Sequence, residues 1–142
     1  MSNDVVKTDA ERALAGVTEA QGFYTSLSLS SPSDKFRMIN IINNSEPLLE
    51  QTGKQIAIKD VVMMTVDVTD QQTGEVGGAV RIVLITPDGV AYHATSKGIV
   101  QSLRQLFNLF GEPTSWKDPI KANVLEKKGR GGFRFLTLDF VE

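Results

Sequence analysis

Apolar residues recur at every second position through most of Gln55–Thr95, switch to a spacing of three and four over Ile99–Phe110, and return to every second position over Ile120–Phe140. Period two marks half-buried strands and the three-and-four spacing marks one face of a helix. In the first stretch Ile56, Ile58, Val62, Met64, Val66 and Val68 share a face, with Asp60 the exception, while Lys59, Thr65 and Asp67 take the other. The run DQQTGEVGG reads as a turn, and Val80, Ile82 and Leu84 resume the alternation. Pro87-Asp88-Gly89 is a hairpin turn, because proline presets φ and glycine accepts φ > 0. Val90–Thr95 returns as a short strand. The helix that follows presents Ile99, Val100, Leu103, Leu106, Phe107 and Phe110; Ser96 or Thr95 caps its start, Gly111 its end, and Pro113 stops it. After a loop bearing Trp116, a closing hairpin spans about Pro119 to Val141.

Upstream, the isoleucine-rich Phe36–Asn43 reads as a strand, against the preference of Asn40, Asn43 and Asn44, and Glu46–Gly53 as a short helical turn or loop. The order is then β-β-β-β-α-β-β. Several antiparallel strands and one late helix imply a mainly β fold. The expected architecture is an OB-like antiparallel Greek-key barrel with one inserted helix, about residues 97–110, plugging an open end. A generic α+β sheet is the alternative. Residues 1–34 are rich in Ser, Thr, Asp, Glu and Gly. They are expected to form a mobile or weakly structured segment, with a short helix at Asp9–Val17 and a loop at SLSLSSPSD. Residues 35–142 are then expected to form the OB-like domain.

The chain of 142 residues is long enough for a sizeable core without staples, and it contains no cysteine, which excludes disulfides and thiolate metal sites. A single histidine, His93, excludes a histidine-rich metal cluster. No run approaches the roughly 18 apolar residues of a membrane helix. The first residues lack a basic region followed by an apolar one, so neither membrane association nor secretion is expected and a cytoplasmic location is. Net charge is −2, but it is unevenly spread: residues 1–50 hold four Lys/Arg against seven Asp/Glu (−3), and residues 117–134 hold six against two (+4).

That basic stretch is the closing hairpin. Its turn is Lys127-Lys128-Gly129-Arg130-Gly131-Gly132, and its return strand opens with Phe133-Arg134-Phe135. By phase, Leu136, Leu138 and Phe140 face the core, as do Ile120, Ala122 and Val124 on the outgoing strand. Phe133, Phe135 and Thr137 take the opposite face, with Lys121, Asn123 and Lys127 on that of the outgoing strand, and Arg134 escapes to solvent near the turn. Cations at a turn suit phosphates, and exposed aromatics on a sheet suit bases. The alternative is that a second layer, the N-terminal segment or another subunit, covers the phenylalanines. Tyr92 and His93 lie on the short strand, where packing is the ordinary role, and Trp116 reads as a core anchor. Arg37, Lys59 and Arg81 read as solvated charges that could extend a basic path.

Catalytic signals are weak. Asp60, Asp67 and Asp70 lie on or near one strand, without the glycine-rich loop or histidine that a metal site would add. P-loop, dinucleotide and Gly-x-Ser-x-Gly patterns are absent, so no enzyme and no cofactor are expected.

The run Val83–Phe110, VLITPDGVAYHATSKGIVQSLRQLFNLF, is similar to a segment of the single-stranded DNA-binding proteins of small tailed phages of Gram-positive bacteria, including the protein-primed replicators. The features in common are a strand, the Asp88-Gly89 turn, Tyr92, the Ala94-x-Ser96-Lys97 start and a helix. The closing strand-turn-strand with Lys and Gly in its turn also looks like theirs. The resemblance covers roughly residues 76–141. It implies an OB fold that coats and protects single-stranded DNA during replication, with that DNA as partner, replication proteins as candidate further partners and the host cytoplasm as location. It also links Tyr92 to DNA contact. The chain departs from the pattern in a longer N-terminal region. It lacks the acidic C-terminal tail of bacterial single-strand binders, so recruitment through such a tail is not expected. The expected DNA-binding set is Tyr92, Lys121, Lys127, Lys128, Arg130, Phe133, Arg134 and Phe135. A protein-interaction or assembly module using the same aromatic face, and a single-stranded RNA binder, are the competing readings.

Overall fold

The computed structural model describes residues 23–69, 72–74 and 76–142, and at 67–69 and 76 the backbone alone. The expected short helix at Asp9–Val17 lies outside the described residues. So do most of the segment expected to be weakly structured, Asp70 and the side chain of Asp67.

The chain is mainly β and OB-like. Strands β1 (Phe23–Thr25), β4 (Asp60–Thr69), β5 (Val76–Ile85), β6 (Ala91–Ala94) and β2 (Glu46–Pro47) form one sheet in the order β1-β4-β5-β6-β2. Strands β3 (Gln55–Ile58), β7 (Ile120–Lys128) and β8 (Arg134–Val141) form a second. β3 and β4 are one bent strand broken at Lys59, whose N–H donates to the Ile85 carbonyl at 2.8 Å. This strand is the corner the two sheets share. β4, β5 and β6 form an antiparallel meander, and after the second helix β7 returns to pair antiparallel with β3. The turn from β5 to β6 is tight, with Gly89 N–H on the Thr86 carbonyl at 3.0 Å and Thr86 N–H on Val90 at 2.8 Å. β5 begins at Val76, so the turn before it is shorter than the sequence suggested.

The break at Lys59 resets the alternation. Ile56 and Ile58 point into the barrel, and beyond the break Val61 and Met63 do so, facing Leu84 and Ile82 across the ladder. Val62 and Met64, expected on the face of Ile56, point outward with Val83, Ile85 and Ala91. Asp60, the misfit in the pattern, sits at the reset and accepts a hydrogen bond from Ser26 Oγ at 2.9 Å.

The outward apolar face is covered by a helix, α1 (Pro32–Asn43), where a strand was expected. Ser31 caps it by accepting from Asp34 N–H at 3.1 Å, and Pro32 opens the first turn. The Ser30, Ser28 and Ser31 hydroxyls hold the Asp34 carboxyl below the usual carboxylate range. β-Branched isoleucines lower helix propensity only slightly. Docking of Met38, Ile41 and Ile42 on Val62, Val83 and Ile85 decides the outcome.

The second helix, α2 (Lys97–Phe110), is the one expected. Ser96 caps it, accepting from Ile99 N–H at 3.4 Å, and it ends at Gly111 with φ +78°. Ile99, Leu103, Leu106 and Phe107 plug the barrel. Phe107 meets Tyr24 and Trp116 edge-on, with centroids at 5.8 and 6.2 Å. Trp116 donates from Nε1 to the Gly111 carbonyl at 2.9 Å and is the expected core anchor. Burial, with Glu112 alongside, pushes the Tyr24 phenol up. The last turn of α2 runs past the core: Phe110, expected on the buried face, is 64% exposed.

Candidate nucleic-acid interface

The β7–β8 hairpin sets Lys127 opposite Phe135 and Lys128 opposite Arg134. Same-face cross-strand neighbours lie about 5 Å apart at Cβ, so a cation flanks the second aromatic. The turn closes with Gly129 N–H on the Phe133 carbonyl at 2.8 Å, and Gly131 and Gly132 take φ +78° and +82°. Such values favour glycine over any side chain, which is why the tip can be this tight. Arg130 projects from it, exposed together with Lys127 and Lys128.

Phe133 is 62% exposed. Its ring lies 6.4 Å from that of Phe135 at a 46° tilt, so the two rings are not stacked on each other. Phe135 is half-buried, with Gly98 in the first turn of α2 against one edge of its ring and Gly129 of the hairpin turn against another. Thr137, on the same face, is taken up by Ser102, with Oγ1 and Oγ 3.0 Å apart. The expected aromatic face is therefore open at Phe133, partly covered at Phe135 and closed at Thr137. The core-facing expectations hold: Leu138 is buried, and Leu136 and Phe140 pack against the main cluster.

The rim beside these rings is the barrel's unpaired seam. The two sheets do not join there: β8, the edge of one, forms no ladder with β6 or with β2, which pairs on β6 at the edge of the other. Ser96 Oγ, at the cap of α2, donates to the Leu136 carbonyl of β8 at 3.2 Å. The seam opens into a groove of about 670 Å³, lined by Pro47, Leu49, His93, Ser96–Gly98 and Phe133–Leu136. Leu49 is 55% exposed and adds an apolar wall. Sequence reasoning missed Pro47, Leu49 and Lys97. Lys97 belongs to the Ala94-x-Ser96-Lys97 start but not to the expected set, and nothing local marks Pro47 and Leu49; the docking of the Leu48–Gln51 turn and of α2 brings all three to the seam.

The expected set is not wholly assembled here. Phe133, Arg134 and Phe135 line the groove, and Lys127, Lys128 and Arg130 crown the hairpin above it. Arg134 donates to Glu126 Oε1 at 3.1 Å, so its charge is shared, though such an exposed pair is worth at most about 1 kcal/mol. Lys121 is exposed but lies at the far end of β7, roughly 20 Å from Lys127 at about 3.3 Å per strand residue. Tyr92 is half-buried against the main core, opposite Leu84, and does not line the groove. His93 does; its Nδ1 lies 2.9 Å from Ser45 Oγ, whose proton goes to the Ile42 carbonyl at 2.7 Å. Among the described residues no group of three His, Asp or Glu is placed to hold a metal ion, and no helix is long and apolar enough to cross a membrane.

A small OB-like barrel with an exposed aromatic beside cations at an open rim is an architecture that single-strand nucleic-acid binders use. Comparison with protein families gives the particular member of that class. Residues 18–141 match the family model of phage single-stranded DNA-binding proteins, and the chain belongs to that family. No curated protein and no solved structure matches it significantly.

Proposed function

We propose that this protein binds single-stranded DNA without sequence preference, and coats and protects it during phage replication in the host cytoplasm. Phe133 and Phe135 stack on bases, while Lys127, Lys128, Arg130 and the partly paired Arg134 neutralise phosphates. The observation that carries the reading is the exposed Phe133 ring at the mouth of the seam groove, beside exposed cations in a chain of net negative charge. An apolar ring left in water with positive charge around it fits a base-and-phosphate ligand better than an apolar partner surface. The activity needs no reaction step. Binding exchanges the ring's hydration for stacking and releases counterions from the strand. Tyr92 and Lys121 stand apart from the groove, and their substitution is expected to change affinity less than that of the hairpin residues.

The test is neutralisation of the hairpin. Each neutralised phosphate contributes about −0.7 to the slope of log K against log salt on single strands, so changing Lys127, Lys128 and Arg130 to Gln should flatten that slope by about 2. Affinity for oligo-dT should fall most at low salt. An unchanged slope in an anisotropy titration would remove these three residues from the interface.

A further inference from the structure

A glycine in the first turn of a helix needs a reason, because alanine is the better helix former. Gly98 holds this position in α2. A Cβ built on it would collide with the Leu136 carbonyl oxygen and stand 3.1 Å from Phe135 Cδ2. The backbone of α2 is therefore in direct contact with β8 beside the edges where the two sheets stay unjoined. One helical turn on, Ser102 completes the contact. Its Oγ donates to the Gly98 carbonyl at 2.9 Å, lies 3.0 Å from Thr137 Oγ1 and accepts from Leu138 N–H at 3.4 Å.

We infer that Gly98, with Ser102 beneath it, is a positioning residue of the DNA interface: the absent side chain lets α2 seat on β8 and hold the Phe135 ring at the seam. The inference rests on the stacking role proposed above and adds the device that sets the ring. Helix and strand are clasped by backbone contact and one buried hydroxyl in place of a ladder. Any atom added at position 98 pushes the strand carbonyl and the ring edge outward together. Gly98 touches no base; it acts through Phe135.

The test is a double-mutant cycle on the full chain, read as anisotropy of labelled oligo-dT below the melting transition of every variant. Phe135→Ala should weaken binding by about 5- to 150-fold, the range for loss of one stacking platform. Gly98→Ala alone should weaken it by at least about 5-fold. Placed on Phe135→Ala, it should add less than about 2-fold, since residues that act through one another are not additive. The salt slope should be the same for all four proteins, because the hairpin cations are untouched. If Phe135→Ala weakens binding while Gly98→Ala is silent or fully additive, Gly98 is structural only and the inference falls. If Phe135→Ala leaves affinity unchanged, the stacking role falls and the inference with it. Should Gly98→Ala not fold, Ser102→Ala enters the same cycle with the same expectation, and additivity there overturns the inference equally.

Discussion

Replacing Phe133 and Phe135 together by alanine should cost more affinity for oligo-dT than one base platform at about 1–3 kcal/mol, and less than about 6 kcal/mol, the most that two could contribute. The two rings touch, so the pair is expected to fall below the sum of the singles. Phe133 is the cleaner probe. With most of its ring in solvent, Phe133→Ala should leave the melting temperature almost unchanged and move affinity alone. Phe135 is partly covered by Gly98, so its removal should lower stability modestly as well as affinity. Anisotropy and thermal melts on the same preparations separate the two effects. A double variant that binds oligo-dT like the parent would show that the rings face something other than DNA.

The largest loss of stability is expected at Phe107. It is 1% exposed and joins Tyr24 of β1, Trp116 of the loop after α2 and the barrel interior in one cluster. Truncating a buried phenylalanine to alanine costs about 3–5 kcal/mol, through lost transfer energy and the cavity left behind. For a chain of this size that lowers the melting temperature by roughly 10–20 °C. Trp116 is the one tryptophan of the chain and lies against Phe107, so its emission reports the change directly. A loss below about 1 kcal/mol would contradict the placement of α2 as the plug, since buried-core truncations cost more than that.

Much of this fold is legible in the chain, because the alternation of apolar residues is nearly uninterrupted where strands form. The meander, the Pro87-Asp88-Gly89 turn, the helix between Ser96 and Gly111 and the closing hairpin all follow from period and turn chemistry. The failures have identifiable causes. The Phe36–Asn43 run was assigned to a strand on its isoleucines. The helix was signalled by Ser31-Pro32 and the spacing of Met38, Ile41 and Ile42, and that spacing matters only because an apolar outer sheet face waits for it. The outer face was hidden in turn by the break at Lys59, which moves Val62 and Met64 to the opposite side while the letters keep alternating. One residue of slip exchanges the faces of everything beyond it.

The candidate interface was half legible. Phase counting separated Phe133 and Phe135 from Leu136, Leu138 and Phe140, and the charge map located the cations. It could not show that the two sheets stay unjoined along β8, since pairing between distant strands leaves no local mark. The groove wall Leu49 and the contact at Gly98 were invisible for the same reason. Arg134 was expected to reach solvent and does, but its pairing with Glu126 depends on the cross-strand register and on rotamers that spacing does not specify.

The central claim is that the hairpin and seam form a single-strand surface built on stacking and phosphate charge. Anisotropy of labelled oligo-dT, with a duplex of equal length in parallel, across a series of salt concentrations tests it most directly. Log K for oligo-dT should fall linearly with log salt, with a slope of about −2 or steeper if three or more phosphates are neutralised. Binding should persist at moderate salt through stacking, and the duplex, whose bases are already stacked on one another, should bind more weakly. No binding of oligo-dT at low salt, or binding indifferent to salt and equal for the duplex, would contradict the claim.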